Sequence, residues 1–185
     1  MKKVLRLFSK LFHKEAIRVF RIYWKLSTAH EKRFDIVLSV AITCLVLFFI
    51  RLANLSYDNI TNLFETLFGT ILTILSVLAG FNVASVSILS SSQSPIITKM
   101  KEASIEGKNW NELTQFICYF SWAIVLQLTL LLYSIVLLFF TKILTSAYIY
   151  IFLIVVSLWL WGVIYSVFLS IRNAANMFLF FLADN

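Results

Sequence analysis

Helix-breaking residues and cysteines are scarce in this sequence. Its 185 residues include one proline, four glycines and two cysteines. Secondary transporters usually interrupt their spans at glycine or proline near the bilayer midplane. Pro95 lies outside every long apolar run, which disfavours that class. Cys44 and Cys118 lie in separate apolar runs without the spacing of a metal or redox site, so we expect two buried thiols.

Charged residues are also few. Only 14% of the residues are charged and 61% are hydrophobic, whereas a soluble domain has about 25% charged and about 45–50% apolar residues. This composition predicts an integral membrane protein. The basic residues are concentrated at one end, because residues 1–33 hold ten of the 16 lysines and arginines.

Four apolar runs are long enough to cross a bilayer, which takes about 20 residues. They lie at about 36–55, 63–89, 113–140 and 147–171. We therefore expect an all-α integral membrane protein in which residues 34–185 form a domain of four transmembrane helices. Residues 1–33 precede it as a basic amphipathic helix at the cytoplasmic interface, and residues 91–112 form a cytoplasmic loop.

The distribution of lysine and arginine predicts the orientation. Fourteen of the 16 lie in residues 1–33, in the 91–112 loop or at Arg172, and only Arg51 and Lys142 lie on the opposite side. The positive-inside rule then predicts cytoplasmic termini in a bacterial inner membrane. The acidic and basic residues nearest the runs, such as Asp35 and Glu65, are at predicted ends, where we expect them to reach water. Proton relays and voltage sensors need charges within the spans and are disfavoured.

The N-terminal segment has the pattern of an amphipathic helix. Its apolar residues recur at intervals of three and four: Leu5, Phe8, Phe12, Ala16, Val19, Tyr23 and Leu26. Its basic residues follow the same spacing on the other side: Lys3, Arg6, Lys10, Lys14, Arg18, Arg21 and Lys25. This pattern favours a helix lying on anionic headgroups. Packing on the bundle itself and docking on another subunit are alternatives, whereas nucleic-acid binding is disfavoured because aromatic and basic residues are not interleaved.

Small and polar residues within the runs indicate helix–helix contacts. Ser76, Gly80 and Ala84 form one small-residue stripe, and Gly162, Ser166 and Ser170 form a second. Asn82 needs a partner on another helix, and Gln127 either is that partner or pairs with its own copy in an oligomer. Phe120, Gln127 and Ser134 recur every seven residues, as on a packing seam. Packing within one bundle, contacts between subunits and lining of a water-filled path all remain open.

The loop between the second and third runs contains signals for a short helix. Ser94 is placed as its N-cap, Pro95 as its first residue and Gly107 after its end. Its apolar edge either packs on the bundle or docks a soluble cytoplasmic partner. The docking residues would be Ile96, Ile97, Lys99, Met100 and Lys101.

The sequence offers no arrangement of residues that carries catalysis. It lacks a nucleophile with a base, a paired-carboxylate motif, a metal-ligand spacing and a glycine-rich phosphate loop. We expect neither an enzyme nor a bound cofactor or metal.

The chain resembles the KwaA family, the membrane subunits of the Kiwa antiphage defence system. The resemblance lies in a basic leader, four spans, a short charged loop and the segment GFNVASVSILSSS at residues 80–92. It implies a homo-oligomer, as a tetramer, that senses disturbance of the envelope by phage. It also implies a cytoplasmic DNA-binding partner, and it gives no catalytic residues.

Two functions follow from these features. The first is an oligomeric inner-membrane sensor or scaffold that recruits a soluble effector to its cytoplasmic face. The second is a holin-like pore that depolarises the membrane, lined by Asn82, Gln127 and the run Thr66, Thr70 and Thr73.

Overall fold

The part of the chain that the structure describes folds into six α-helices. A computed structural model describes residues 2–53, 57–105, 110–143 and 149–182. The helices are α1 (Lys2–Leu26), α2 (Ala29–Leu52), α3 (Tyr57–Ser91), α4 (Pro95–Glu102), α5 (Glu112–Ile143) and α6 (Ile149–Leu182). The helices α2, α3, α5 and α6 are long and apolar enough to cross a membrane. The prediction of an all-α membrane protein with four spans is confirmed.

The spanning helices extend beyond the apolar runs that predicted them. The helix α2 begins at Ala29 rather than near 36, and α6 continues to Leu182 rather than ending near 171. The 34 residues of α6 have a length of about 51 Å, against about 30 Å for the hydrocarbon core. Hydropathy marks only the part of a helix that is apolar, whereas backbone hydrogen bonding continues past it.

A capping box separates α1 from α2. The Thr28 hydroxyl accepts a hydrogen bond from the Glu31 amide at 3.3 Å, and the Glu31 carboxylate accepts one from the Thr28 amide at 2.7 Å. This reciprocal pair starts a new helix, so residues 29–33 belong to the first span. The predicted boundary between the N-terminal helix and the four-helix domain, at residue 33, therefore lies too far along the chain.

The spanning helices pack in the order α3, α5, α6 and α2, with α5 and α6 at the centre. Their main core contains Phe64, Phe68, Leu75, Val156 and Trp159, all at most 1% exposed. The rings of Phe68 and Trp159 meet edge to face, with 4.6 Å between their centroids. The helices α1 and α4 both pack on α5, so they lie at the end of the bundle where α5 begins.

Large apolar side chains cover much of the outer surface of the bundle. Phe48 and Leu52 on α2, Leu132 on α5 and Leu158 on α6 are each more than half exposed. A surface of this kind suits contact with lipid. Cys44 is also exposed on α2, whereas Cys118 is buried, so the prediction of two buried thiols is wrong for Cys44.

Candidate functional site

A buried amide cluster joins three spanning helices. Asn82 on α3 donates from Nδ2 to Gln127 Oε1 on α5 at 2.9 Å and to Ser170 Oγ on α6 at 3.1 Å. Gln127 donates from Nε2 to the same Ser170 oxygen at 2.7 Å. Asn82 and Gln127 are fully buried, and Ser170 is 2% exposed. The interhelical partner of Asn82 is thus Gln127 of the same chain, and these amides do not line a path through one subunit.

The seven-residue seam on α5 faces the interior of the bundle. Phe120, Gln127 and Ser134 are all fully buried. The Ser134 hydroxyl accepts a hydrogen bond from Trp159 Nε1 on α6 at 2.8 Å and donates to the Leu130 carbonyl at 2.7 Å. The polar positions of the seam therefore join α5 to its neighbours within one subunit.

The small-residue stripe of α6 permits close approach to α5. A Cβ atom added to Gly162 would lie 3.0 Å from Leu130 Cδ2. Ser166 is fully buried and donates to the Val163 carbonyl at 2.8 Å. This stripe is used for packing within one bundle.

The small-residue stripe of α3 faces outward. Ser76, Gly80 and Ala84 are exposed, and a Cβ atom added to Gly80 would meet nothing within 4 Å. Packing within one bundle therefore does not explain this stripe, in contrast to the one on α6.

The same outer face of α3 carries hydroxyl groups that are already paired. Thr66, Thr70, Thr73 and Ser76 each donate to the backbone carbonyl four residues earlier, at 2.7 to 3.4 Å. All four residues are exposed. Back-bonding of this kind satisfies the hydroxyl proton within the helix, so this face suits contact with another helix or with lipid.

A buried ion pair lies where α1, α2 and α6 meet. Arg172 Nη1 on α6 donates to Asp35 Oδ2 on α2 at 2.5 Å, and the two side chains are 14% and 3% exposed. Arg172 Nη2 also donates to Tyr23 Oη on α1 at 3.1 Å. The expectation that Asp35 reaches water is wrong, because α1 and the extension of α6 cover it.

Aromatic rings complete this cluster. The Tyr23 and Tyr165 hydroxyl groups lie 3.3 Å apart. The Arg172 guanidinium lies 5.4 Å from the ring centroid of Tyr119 and 6.0 Å from that of Tyr23. Because Tyr23 is fully buried, it fixes α1 to the bundle. Sequence patterning placed Tyr23 on an apolar face but gave no signal for its polar partners on α6.

Another ion pair lies at the opposite end of the bundle. Lys142 Nζ near the end of α5 lies 2.6 Å from Glu65 Oε1 near the start of α3. Their side chains are 64% and 40% exposed. This pair is a surface contact, unlike the buried pair of Asp35 and Arg172.

The short helix of the loop is present, but its apolar edge is occupied. Ser94 caps α4 by accepting from the Ile97 amide at 3.3 Å, and Pro95 is its first residue, as predicted. Ile97 and Met100 are 2% and 1% exposed and pack with Leu89, Leu113 and Phe120. They are therefore not available to a soluble partner, which corrects their assignment as docking residues.

The remaining docking residues keep some accessible surface. Lys99 and Lys101 are exposed and Ile96 is half-buried. The predicted stop at Gly107 lies outside the described residues, and α4 ends at Glu102.

The basic side of α1 is exposed where its side chains are described. Lys14, Arg18, Arg21 and Lys25 all face outward. The side chains of Lys3, Arg6 and Lys10 lie outside the described ones. On the apolar side, Tyr23 and Leu26 pack with Cys118, Tyr119, Ala123 and Leu169. The C-terminal part of the predicted apolar face thus packs on its own bundle, which is one of the alternatives to headgroup binding that the sequence left open.

Among the described residues, no group of three or more histidine, cysteine or acidic side chains is placed to hold a metal ion. Comparison with protein families, with curated proteins and with solved structures found no match for the chain.

Proposed function

We propose that this protein is an oligomeric sensor or scaffold of the bacterial inner membrane that recruits a soluble effector to its cytoplasmic face. The observation that carries the proposal is the difference between the polar groups within the spans and those at one end of the bundle. Within the spans, Asn82, Gln127 and Ser170 bond to one another. At the end that bears α1 and α4, basic side chains lie on the surface of the bundle: Lys14, Arg18, Arg21, Lys25, Lys99 and Lys101.

Self-association through the outer face of α3 is part of the proposal. Ser76, Gly80 and Ala84 form a stripe of small exposed positions, with the exposed side chains of Val77 and Phe81 beside it. Along such a stripe two backbones can approach closely, which is how membrane helices gain van der Waals contact. A second copy of α3 suits this face better than lipid chains do.

The resemblance to the KwaA family supplies the biological setting of the proposal. In that setting the protein belongs to an antiphage defence system and its effector binds DNA. The subunit number would be four.

The alternative is a holin-like pore. Of the residues that would line it, Asn82 and Gln127 are fully buried within one subunit. Thr66, Thr70 and Thr73 are exposed, but their hydroxyl protons are bonded to backbone carbonyls. A wall of this kind offers few polar groups to ions, which favours the scaffold.

Co-purification tests the proposal. The tagged protein is extracted in mild detergent from cells that also express the soluble product of the adjacent gene. We expect the two to elute together as an oligomer. The variant K99E/K101E should lose the soluble protein, whereas R51E, which reverses an exposed charge at the other end of the bundle, should keep it. Elution of the wild-type chain alone as a monomer would contradict the proposal.

A further inference from the structure

The described part of α1 has three distinct faces. Tyr23 and Leu26 pack on the bundle, where the Val19 carbonyl accepts from Cys118 Sγ, and the basic residues from Lys14 to Lys25 face outward. The third face consists of Ile17, Phe20 and Trp24, which we call the aromatic strip. These three side chains are 38%, 38% and 44% exposed. Because successive residues turn by about 100°, the strip lies about a third of a turn from the docked face and borders the basic one.

The aromatic strip differs from the apolar face that the sequence pattern predicted. That face includes Tyr23 and Leu26, which are buried in the bundle. The strip is instead continuous with aromatic surface on α5, because the Phe20 ring lies 5.6 Å from that of Trp24 and 4.9 Å from that of Trp122. The apolar surface that α1 leaves exposed therefore lies on a different side of the helix from the apolar face that the sequence pattern predicted.

The strip lies beside a span where that span begins. Only Ser27 and Thr28 separate α1 from α2. The first three turns of α2 expose Phe34 and Val37, at 58% and 65%. Lys32 on the same helix places its Nζ 4.6 Å from the Trp24 ring centroid and donates to the Trp24 carbonyl at 2.6 Å. The cation thus lies over the face of the Trp24 ring, and tryptophan is typical of the membrane–water boundary.

We propose that the aromatic strip inserts into the anionic bilayer leaflet at this end of the bundle. Ile17, Phe20 and Trp24 would enter the boundary between headgroups and acyl chains, and the adjacent basic face would contact lipid phosphates. The charges are complementary, and apolar insertion combined with basic residues is how interfacial helices bind. The inference rests on the proposed membrane scaffold and deepens it, because it names an anionic lipid surface as the ligand of α1.

Site-specific fluorescence in lipid tests the proposal. Cys44 is first replaced by serine, and I17C, W24C, R21C and K25C are each labelled with an environment-sensitive fluorophore. The full-length protein is reconstituted in phosphatidylcholine vesicles with or without phosphatidylglycerol, using brominated acyl chains as quenchers. We expect a severalfold loss of emission at positions 17 and 24, greater with phosphatidylglycerol, and little loss at 21 and 25. The two strip positions are independent, so failure of one variant to fold leaves the other informative.

Two outcomes would overturn the lipid contact. The first is equal quenching at all four positions. The second is unquenched emission at 17 and 24 that changes only when the soluble partner is added, which would make the strip a protein-docking surface. In that second case the proposed scaffold function would stand. Conversely, if the soluble protein does not co-purify but the expected quenching pattern is observed, the scaffold function would be overturned and the lipid contact would stand.

Discussion

Arg172 near the end of the last span and Asp35 near the start of the first form a hydrogen-bonded ion pair with only 14% and 3% of their side chains exposed. The pair joins α6 to α2, helices that are far apart in sequence. Buried pairs contribute little net stability compared with apolar residues, but removing one partner leaves an uncompensated charge. The pair therefore fixes which helices lie together.

The variant D35N should be strongly destabilised, because it leaves the Arg172 guanidinium without its counter-charge. We expect a loss of about 3 to 5 kcal/mol, measured by denaturant unfolding in detergent. The matched control is E65Q, which removes the exposed pair with Lys142 and should cost less than about 1 kcal/mol. Equal losses for the two variants would contradict the distinction between them.

Replacing Tyr23 by phenylalanine should loosen α1. The change removes the hydroxyl that accepts from Arg172 and lies beside that of Tyr165. A hydrogen bond to a charged group is worth about 1.5 to 3 kcal/mol, so opening of α1 should rise about tenfold or more.

The alkylation rate of Cys118 measures this opening in a C44S background, because its thiol bonds to the Val19 carbonyl of α1. Y133F, on the exposed side of α5, should leave the rate unchanged; an unchanged rate in Y23F would exclude the hydroxyl contact.

The amide cluster should behave as a coupled pair. N82L and Q127L each remove one partner of a bond between fully buried side chains. A double-mutant cycle of unfolding free energies should give a coupling between about 0.6 and about 1.7 kcal/mol, the average and the maximum found for bonds between membrane helices. Additive effects of the two substitutions would mean that the amides do not bond in the folded protein.

The same substitution should destabilise the folded chain at Gly162 but not at Gly80. G162L should destabilise the folded chain by about 1 to 3 kcal/mol through overpacking, because even a Cβ atom would lie 3.0 Å from Leu130. G80L should leave the stability of the monomer unchanged, since the space around Gly80 is open.

Chemical cross-linking should separate G80L from the wild type, because we expect the variant to lose the oligomer. A41L is the matched control, since it adds the same side chain at an exposed position of α2. Loss of the oligomer in both variants would argue against a specific interface on α3.

Periodicity and hydropathy predicted the elements that depend on local sequence. The four spans and the Ser94 cap follow from apolar runs and capping chemistry, and the seven-residue spacing placed Gln127 and Ser134 on one seam of α5 without deciding what that seam contacts. The start of α2 was missed although Thr28 and Glu31 carry the capping-box signature in the sequence. Local patterns thus predict that a helix is present and how apolar it is, and they are less precise about the residue at which it begins or ends.

The contacts between helices were harder to predict. Ser76 and Gly80 have the same small-residue spacing as Gly162 and Ser166, yet one stripe is exposed and the other buried. The difference arises from the order in which the helices pack, which sequence spacing does not contain. The burial of Asp35 depends likewise on Arg172, 137 residues away along the chain.

The most direct test of the account asks which side of the membrane carries α1 and α4. In a C44S background, K101C and K142C are treated in intact cells with a thiol reagent that cannot cross the inner membrane. We predict that K142C is labelled in intact cells and that K101C is labelled only after the inner membrane is opened. Labelling of K101C in intact cells would contradict the account, because α4 and its lysines would then face away from any cytoplasmic partner.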